Sequence, residues 1–132
     1  MTTSSGTAAF TSWDETPAFD ASPPVPRLAH AVVRFEYDGA LTATSTCQYV
    51  LRYDEGTTGT FVGLEEVAGA LDGRRGTFVL RHDGTFGPDG VRTAWTVVPG
   101  TGTGDLAGLT GAGGFTAPHG SDRWTYELEH GR

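Results

Sequence analysis

The chain of 132 residues contains no lysine, isoleucine or asparagine, and its single cysteine is Cys47. One cysteine cannot form a disulfide within the chain, which favours a reducing compartment. No apolar run approaches the roughly 18–20 residues that a membrane-spanning helix requires. The first residues, MTTSSGTAAF, lack the basic start and the apolar stretch of a secretory signal. We therefore expect a cytoplasmic protein.

Basic residues are scarce as well. Nine arginines stand against 16 acidic residues, which gives a formal net charge of −7 and an isoelectric point near 4.8. Affinity for nucleic acid depends on neutralising its phosphates, and an anionic membrane also attracts basic surfaces. The composition thus argues against nucleic acid and membranes as partners.

Helix-forming patterns are few. The 20 glycines and 20 threonines disfavour helices, and no segment keeps an apolar stripe of helical period over three turns. Short β-rich runs separated by turn signals such as Asp-Gly predict strands instead. The eight predicted strands are 7–13, 29–37, 41–53, 58–68, 76–82, 91–98, 106–115 and 123–129.

Short connections predict that neighbouring strands are antiparallel. Eight antiparallel strands avoid exposed edges best by closing on themselves. The sequence therefore predicts an all-β fold, an eight-stranded closed barrel in an up-and-down meander. We expect residues 1–6 to be flexible and residues 7–132 to form one domain. The prolines of segment 17–26 exclude a central strand there, which predicts a long loop or an arm lying over the barrel.

Alternation along the strands predicts which side chains face the barrel interior. The predicted interior face carries Phe10, Val33, Phe35, Tyr37, Cys47, Tyr49, Leu51, Tyr53, Phe61, Gly63, Glu65, Phe78, Leu80, His82, Trp95, Val97, Trp124, Tyr126 and Leu128. The outer face carries charges and also the apolar residues Val32, Val50, Val62, Leu64, Val79 and Val98. Because exposed apolar patches mark interfaces, we expect a homo-oligomer. Burial of these residues beneath the 17–26 arm is the alternative.

Three segments resemble a known bacterial family. They are SWDE at 12–15, FVGLEEVAGALDGRRGTFVLRHDGTF at 61–86 and WTVVPGTGTGDLAGLTGAGGF at 95–115. The family is domain of unknown function 3224, which is similar in fold to the allene oxide cyclase barrel. Segment 102–111 also resembles, more weakly, the glycine-rich strand of allene oxide cyclases and dirigent proteins. The resemblance implies an eight-stranded closed antiparallel barrel and no settled activity, since fold alone does not fix function.

Glu65 and His82 are the candidate catalytic residues. If the hairpin is symmetric about its Asp-Gly turn, Glu65 lies opposite Leu80, with His82 one diagonal step away and Tyr49 reaching in from the other neighbouring strand. A carboxylate, an imidazole and a phenol in an apolar interior could perform general acid–base chemistry. The alternative is a buried hydrogen-bonded network that fixes the strand register.

The aromatic interior predicts a site for a small, mostly apolar molecule. Its predicted ligand-binding residues are Phe35, Cys47, Tyr49, Phe61, Phe78, Trp95 and Tyr126. We expect no cofactor, and no metal either, since His30, His82, His119 and His130 show no paired ligand spacing.

Two functions remain open from the sequence. The first is a small-molecule-binding barrel, which by analogy with allene oxide cyclase could be a cofactor-free isomerase or cyclase acting on a mostly apolar substrate. The second is a non-enzymatic structural or oligomerising protein whose interior is filled by side chains. A connected cavity above about 300 Å³ favours the first function.

Overall fold

Eight strands close into a barrel in chain order. The protein, as a computed structural model, is described for residues 1–16, 27–55, 58–118, 120–121 and 123–131. The strands are β1 (Thr2–Thr16), β2 (Arg27–Gly39), β3 (Leu41–Glu55), β4 (Thr58–Leu71), β5 (Arg74–Gly87), β6 (Gly90–Val97), β7 (Thr110–Pro118) and β8 (Arg123–Gly131). Each strand is antiparallel to the next and β8 pairs with β1, which confirms the predicted eight-stranded closed barrel.

Two strands begin at residues other than the predicted ones. The first strand begins at Thr2, so residues 2–6, for which we expected flexibility, pair with β8. The seventh strand begins at Thr110 rather than at 106, because the chain first makes a 3-10 turn at Gly104–Leu106. Glycines at 104 and 108 take positive φ angles of 60° and 81° in this connection, a conformation that interrupts a strand. Among the described residues, no helix could cross a membrane.

The fifth strand is longer than predicted. The predicted strand 76–82 ends before the Asp-Gly pair at 83–84, which is a turn signal, but β5 runs through this pair to Gly87. Gly84 pairs with Phe61 on β4, and a Cβ at Gly84 would lie only 2.4 Å from Cζ of Phe61. Gly84 therefore makes space for the ring of Phe61 and does not form a turn. The other Asp-Gly pair of this hairpin, at 72–73, does form the predicted turn, with φ angles of 50° and 81°.

A β-bulge interrupts the alternation of β1. Phe10 pairs with Phe35 of β2, but the register then shifts, so that Ser12 pairs with Arg34 and Trp13 with Val33. Phe35 and Val33 both face the core, and their partners therefore lie on the interior side as well. One extra residue in a strand re-aims the side chains that follow it. The bulge thus places two aromatic residues, three positions apart, on the same face.

The two ends of the barrel differ. We call one end the mouth end; it carries the connections from β3 to β4, from β5 to β6 and from β7 to β8. The far end carries the connections from β2 to β3, from β4 to β5 and from β6 to β7. Leu106 and Leu109, from the connection between β6 and β7, are buried at the far end. The predicted arm at 17–26 lies outside the described residues.

A polar cluster ties the far end together. The hydroxyl of Ser4 on β1 donates to Oδ2 of Asp72 over 2.5 Å, and Nε2 of His130 on β8 lies 3.0 Å from the same oxygen. The cluster links the first and last strands to the turn between β4 and β5. It is not a nucleophilic triad, because Nε2 of His130 faces both the serine, at 2.9 Å, and the aspartate.

Candidate functional site

A buried carboxylate organises the centre of the barrel. Oε2 of Glu65 accepts hydrogen bonds from the hydroxyls of Tyr37 and Ser45, each over 2.5 Å. Oε1 of Glu65 lies 2.6 Å from Nε2 of His82. Both Glu65 and His82 are 0% exposed. A carboxylate out of contact with water is costly unless donors surround it, and here three donors do so.

The imidazole of His82 extends this network toward β3. Its Nδ1 lies 3.0 Å from the hydroxyl of Tyr49 and 3.3 Å from that of Thr93. When Nε2–H donates to Glu65, Nδ1 of the neutral ring accepts from Tyr49. The predicted pairing of Glu65 with Leu80 is present, and it places His82 one step along the same face. The structure thus brings together the carboxylate, imidazole and phenol that the sequence singled out.

Gly63 makes the contact between Tyr49 and His82 possible. It is the register partner of Tyr49 on one side and of His82 on the other. A Cβ at this position would lie 2.7 Å from Cδ1 of Tyr49 and 2.6 Å from the carbonyl oxygen of Gln48. With no side chain between them, the two rings meet edge to face, with their centroids 5.1 Å apart.

Cys47 lies against this network as a protonated thiol. It is fully buried and pairs in register with Glu65. Burial, and then the charge of Glu65, raise the pKa of the Cys47 thiol well above its ordinary value. A thiol that keeps its proton is a poor nucleophile and behaves as a small apolar side chain.

The donor atoms of Cys47, Glu65 and His82 lie within 4.8 Å of one another, close enough to share a metal ion. The residues do not fit that role well. Nε2 of His82 already bonds to Glu65, and the second oxygen of Glu65 is held by two hydroxyls. A metal would also need the thiolate, which burial disfavours. The cluster is satisfied by its own hydrogen bonds.

A cavity of about 360 Å³ opens at the mouth end, above this network. Nine of the described residues that line it are aromatic: Phe10, Trp13, Phe35, Tyr49, Tyr53, Phe61, Phe86, Phe115 and Trp124. The rest of its described lining is aliphatic, glycine or proline, with one serine. The barrel interior is therefore divided into a packed half and a hollow half.

The predicted site residues fall on both sides of this division. Phe35, Tyr49 and Phe61 line the cavity. The others are buried in the packed half and do not line it: Cys47, Glu65, Phe78, His82, Trp95 and Tyr126. The ring of Tyr49 forms part of the cavity lining while its hydroxyl bonds to His82, so this residue connects the two halves.

Sequence reasoning missed Trp13 as a cavity residue. Strict alternation from Phe10 assigns Trp13 to the outside, and the bulge at residue 11 reverses that assignment. Its ring stacks on Tyr49, with centroids 6.2 Å apart and planes 25° apart. The SWDE motif at 12–15 was the signal that could have drawn attention to it.

Polar groups gather next to the cavity around Tyr53. Its hydroxyl donates to Oε2 of Glu15 over 2.6 Å, and the guanidinium of Arg27 lies 4.2 Å above its ring. A nitrogen of Arg27 is also 3.9 Å from Oε2 of Glu15, but none of the three buried guanidinium nitrogens makes a hydrogen bond within the described residues. Burial, and then the hydrogen bond to Glu15, raise the pKa of Tyr53.

Comparison with known proteins agrees with this architecture. A family model described as "Protein of unknown function (DUF3224)" matches residues 4–130. The crystal structure of a DUF3224-family protein with unknown function from Shewanella oneidensis MR-1 is similar, with a TM-score of 0.81 and 26% sequence identity, over 99% of this chain and 97% of that chain. No curated protein matches the chain. Because the family model covers nearly the whole sequence, the chain belongs to the DUF3224 family.

Proposed function

We propose that the protein binds a small, mostly apolar molecule in the cavity at the mouth end of the barrel. The observation that carries this proposal is the half-open cavity of about 360 Å³ with its aromatic lining. Ligand sites start at about 300 Å³ and are lined mainly by hydrophobic and aromatic side chains. Side chains can fill an eight-stranded barrel completely, which is what the alternative function as a structural protein requires. Here they fill only one half of the interior.

We assign Glu65 and His82 to positioning Tyr49 rather than to contacting the ligand. General acid–base catalysis needs a group within hydrogen-bond reach of the reacting atom, and neither residue lines the cavity. Tyr49 does line it, but burial, followed by the neighbouring Cys47 and Glu65, raises the pKa of this phenol well above its ordinary value. Binding is therefore better supported than a cofactor-free isomerase or cyclase.

A pair of matched substitutions on β7 tests this proposal. Ala117 lines the cavity and Ala112, on the same strand, faces outward. We expect Ala117→Phe to place a ring inside the cavity and to reduce binding of the neutral fluorescent probe N-phenyl-1-naphthylamine at least about tenfold, whereas Ala112→Phe leaves that binding unchanged. Equal binding by the wild type and both variants would overturn the proposal. Native mass spectrometry of freshly purified protein would show whether a small molecule co-purifies.

We also propose that the outer face of β3 and β4 joins two copies of the chain. Val50 and Val62 are register partners, and together with Leu64 they are about half exposed. Arg81 and Asp83 on β5 pair in register with Leu64 and Val62, so charges of both signs border the apolar patch. A two-fold contact puts the same surface on both sides, which lets the arginine of one copy face the acid of the other. The other apolar residues predicted on the outer face are less exposed than these three and lie outside the proposed contact: Val32, Val79 and Val98.

A further inference from the structure

We infer that the cavity selects a planar, uncharged aromatic molecule, which it holds by stacking on Trp13 and Phe10. This inference rests on the proposed binding function and names the class of ligand. Its basis is a pair of aromatic rings that face the cavity without being covered. Trp13 is 45% exposed and Phe10 is 41% exposed, yet both line the cavity.

The β-bulge of β1 creates this pair. If residue 11 were paired in regular register, Trp13 would pair with Val32 rather than Val33 and would lie on the outer face, so β1 would contribute only the ring of Phe10 to the mouth of the cavity. With the extra residue, the two rings meet edge to face, with centroids 6.3 Å apart. Bulges beside binding sites commonly re-aim a side chain, and this one adds a large aromatic surface where a ligand enters.

Neighbouring rings fix the orientation of both side chains. Trp13 stacks on Tyr49, and Phe10 lies 6.1 Å from the ring of Trp124. Tyr49 is in turn held by His82 and by an edge-to-face contact with Phe61 at 5.0 Å. The exposed ring surfaces are therefore preorganised, so a flat ligand can stack on them at little cost in side-chain entropy.

The size and charge of the cavity narrow the ligand further. Its volume of about 360 Å³ is more than twice that of a cavity of about 150 Å³ that accommodates benzene, so it has room for a molecule of two fused rings. None of the described lining residues is charged. The nearby guanidinium of Arg27 lies beside Glu15, and the chain as a whole carries −7. These features favour a neutral molecule over an anion.

Equilibrium dialysis with three probes tests the inference. 2-Naphthol and decan-1-ol have the same number of carbon atoms and one hydroxyl each, but only the first is planar and aromatic; 2-naphthoate adds a negative charge. We expect wild-type protein to bind 2-naphthol at least about tenfold more tightly than either of the others, because only this probe combines stacking with neutrality.

Variants of Trp13 give the decisive comparison. We expect Trp13→Ala to weaken the binding of 2-naphthol about tenfold. Trp13→Phe keeps a ring and should retain most of the wild-type affinity. Decan-1-ol should respond to neither variant by more than about twofold, and urea unfolding checks that both variants remain folded. Equal affinity for 2-naphthol and decan-1-ol, or tighter binding of 2-naphthoate, would overturn the inference while leaving the proposed function intact. Failure of all three probes, together with failure of N-phenyl-1-naphthylamine, would overturn both.

Discussion

The hydroxyl of Tyr49 lies 3.0 Å from Nδ1 of His82, although the whole of β4 runs between the strands that carry them. Gly63 occupies the intervening position and leaves the space above β4 open. This row of three residues joins the cavity to the buried carboxylate. It also explains how a ring that lines an apolar cavity can be anchored by a polar group that never contacts it.

Replacing Gly63 by alanine should break this anchor. The new Cβ would meet backbone and ring atoms at 2.6–2.7 Å, so either β4 or the Tyr49 ring must shift. We expect the free energy of unfolding to fall by about 1–3 kcal/mol, the usual cost of overpacking, and binding of N-phenyl-1-naphthylamine to weaken. Urea unfolding and probe titration measure the two effects. Gly131→Ala is the control, because a Cβ there meets nothing within 4 Å; equal results for both variants would contradict the anchoring role.

Two adjacent glutamates on β4 allow the contribution of the buried network to stability to be compared with that of a surface carboxylate. Glu65 is fully buried among three donors, whereas Glu66 is exposed. Glu65→Gln turns one acceptor into a donor and removes the charge that strengthens the remaining bonds. We expect a loss of about 1–3 kcal/mol in the free energy of unfolding, against no more than about 0.5 kcal/mol for Glu66→Gln. Chemical denaturation of both variants tests this difference, and a Glu65→Gln variant as stable as Glu66→Gln would argue against a stabilising network.

Much of this arrangement could be predicted from alternation alone. Hairpin symmetry about residues 72–73 gave the Glu65–Leu80 pair, and with it the approach of His82. Alternation does not reveal how far along the barrel axis a ring extends, so it could not separate the cavity residue Phe61 from the packed Phe78. It also fails at a bulge, where one unpaired residue reverses every later assignment in the strand; Trp13 was missed for this reason.

The four tyrosines give the protein a specific response to alkaline pH. Burial raises the pKa of Tyr37, Tyr49, Tyr53 and Tyr126, in each case as the largest cause. In the unfolded chain these phenols lose their protons near their ordinary pKa of 10.0, whereas in the folded protein they keep them. The unfolded state therefore binds fewer protons above this pH, and stability falls as the pH rises.

We accordingly expect that tyrosine ionisation does not change the free energy of unfolding below about pH 10, and that the protein unfolds cooperatively above this pH. The ultraviolet absorbance of tyrosinate should increase together with the loss of the circular dichroism signal of the barrel. Free N-acetyltyrosinamide provides the reference titration. A tyrosinate signal that follows this reference while the circular dichroism stays native would show that the phenols are accessible, contrary to their burial.

The apolar patch on β3 and β4 predicts self-association that one surface charge can disrupt. Leu64 is 52% exposed, so Leu64→Glu leaves the barrel core intact while placing a carboxylate at the centre of the proposed two-fold contact. We expect sedimentation velocity to show a dimer for the wild type and a monomer for this variant. Thr125→Glu adds the same charge to the exposed face of β8, across the barrel from β4, and should remain dimeric. A monomeric wild type, or two variants that sediment alike, would rule out this surface as the interface.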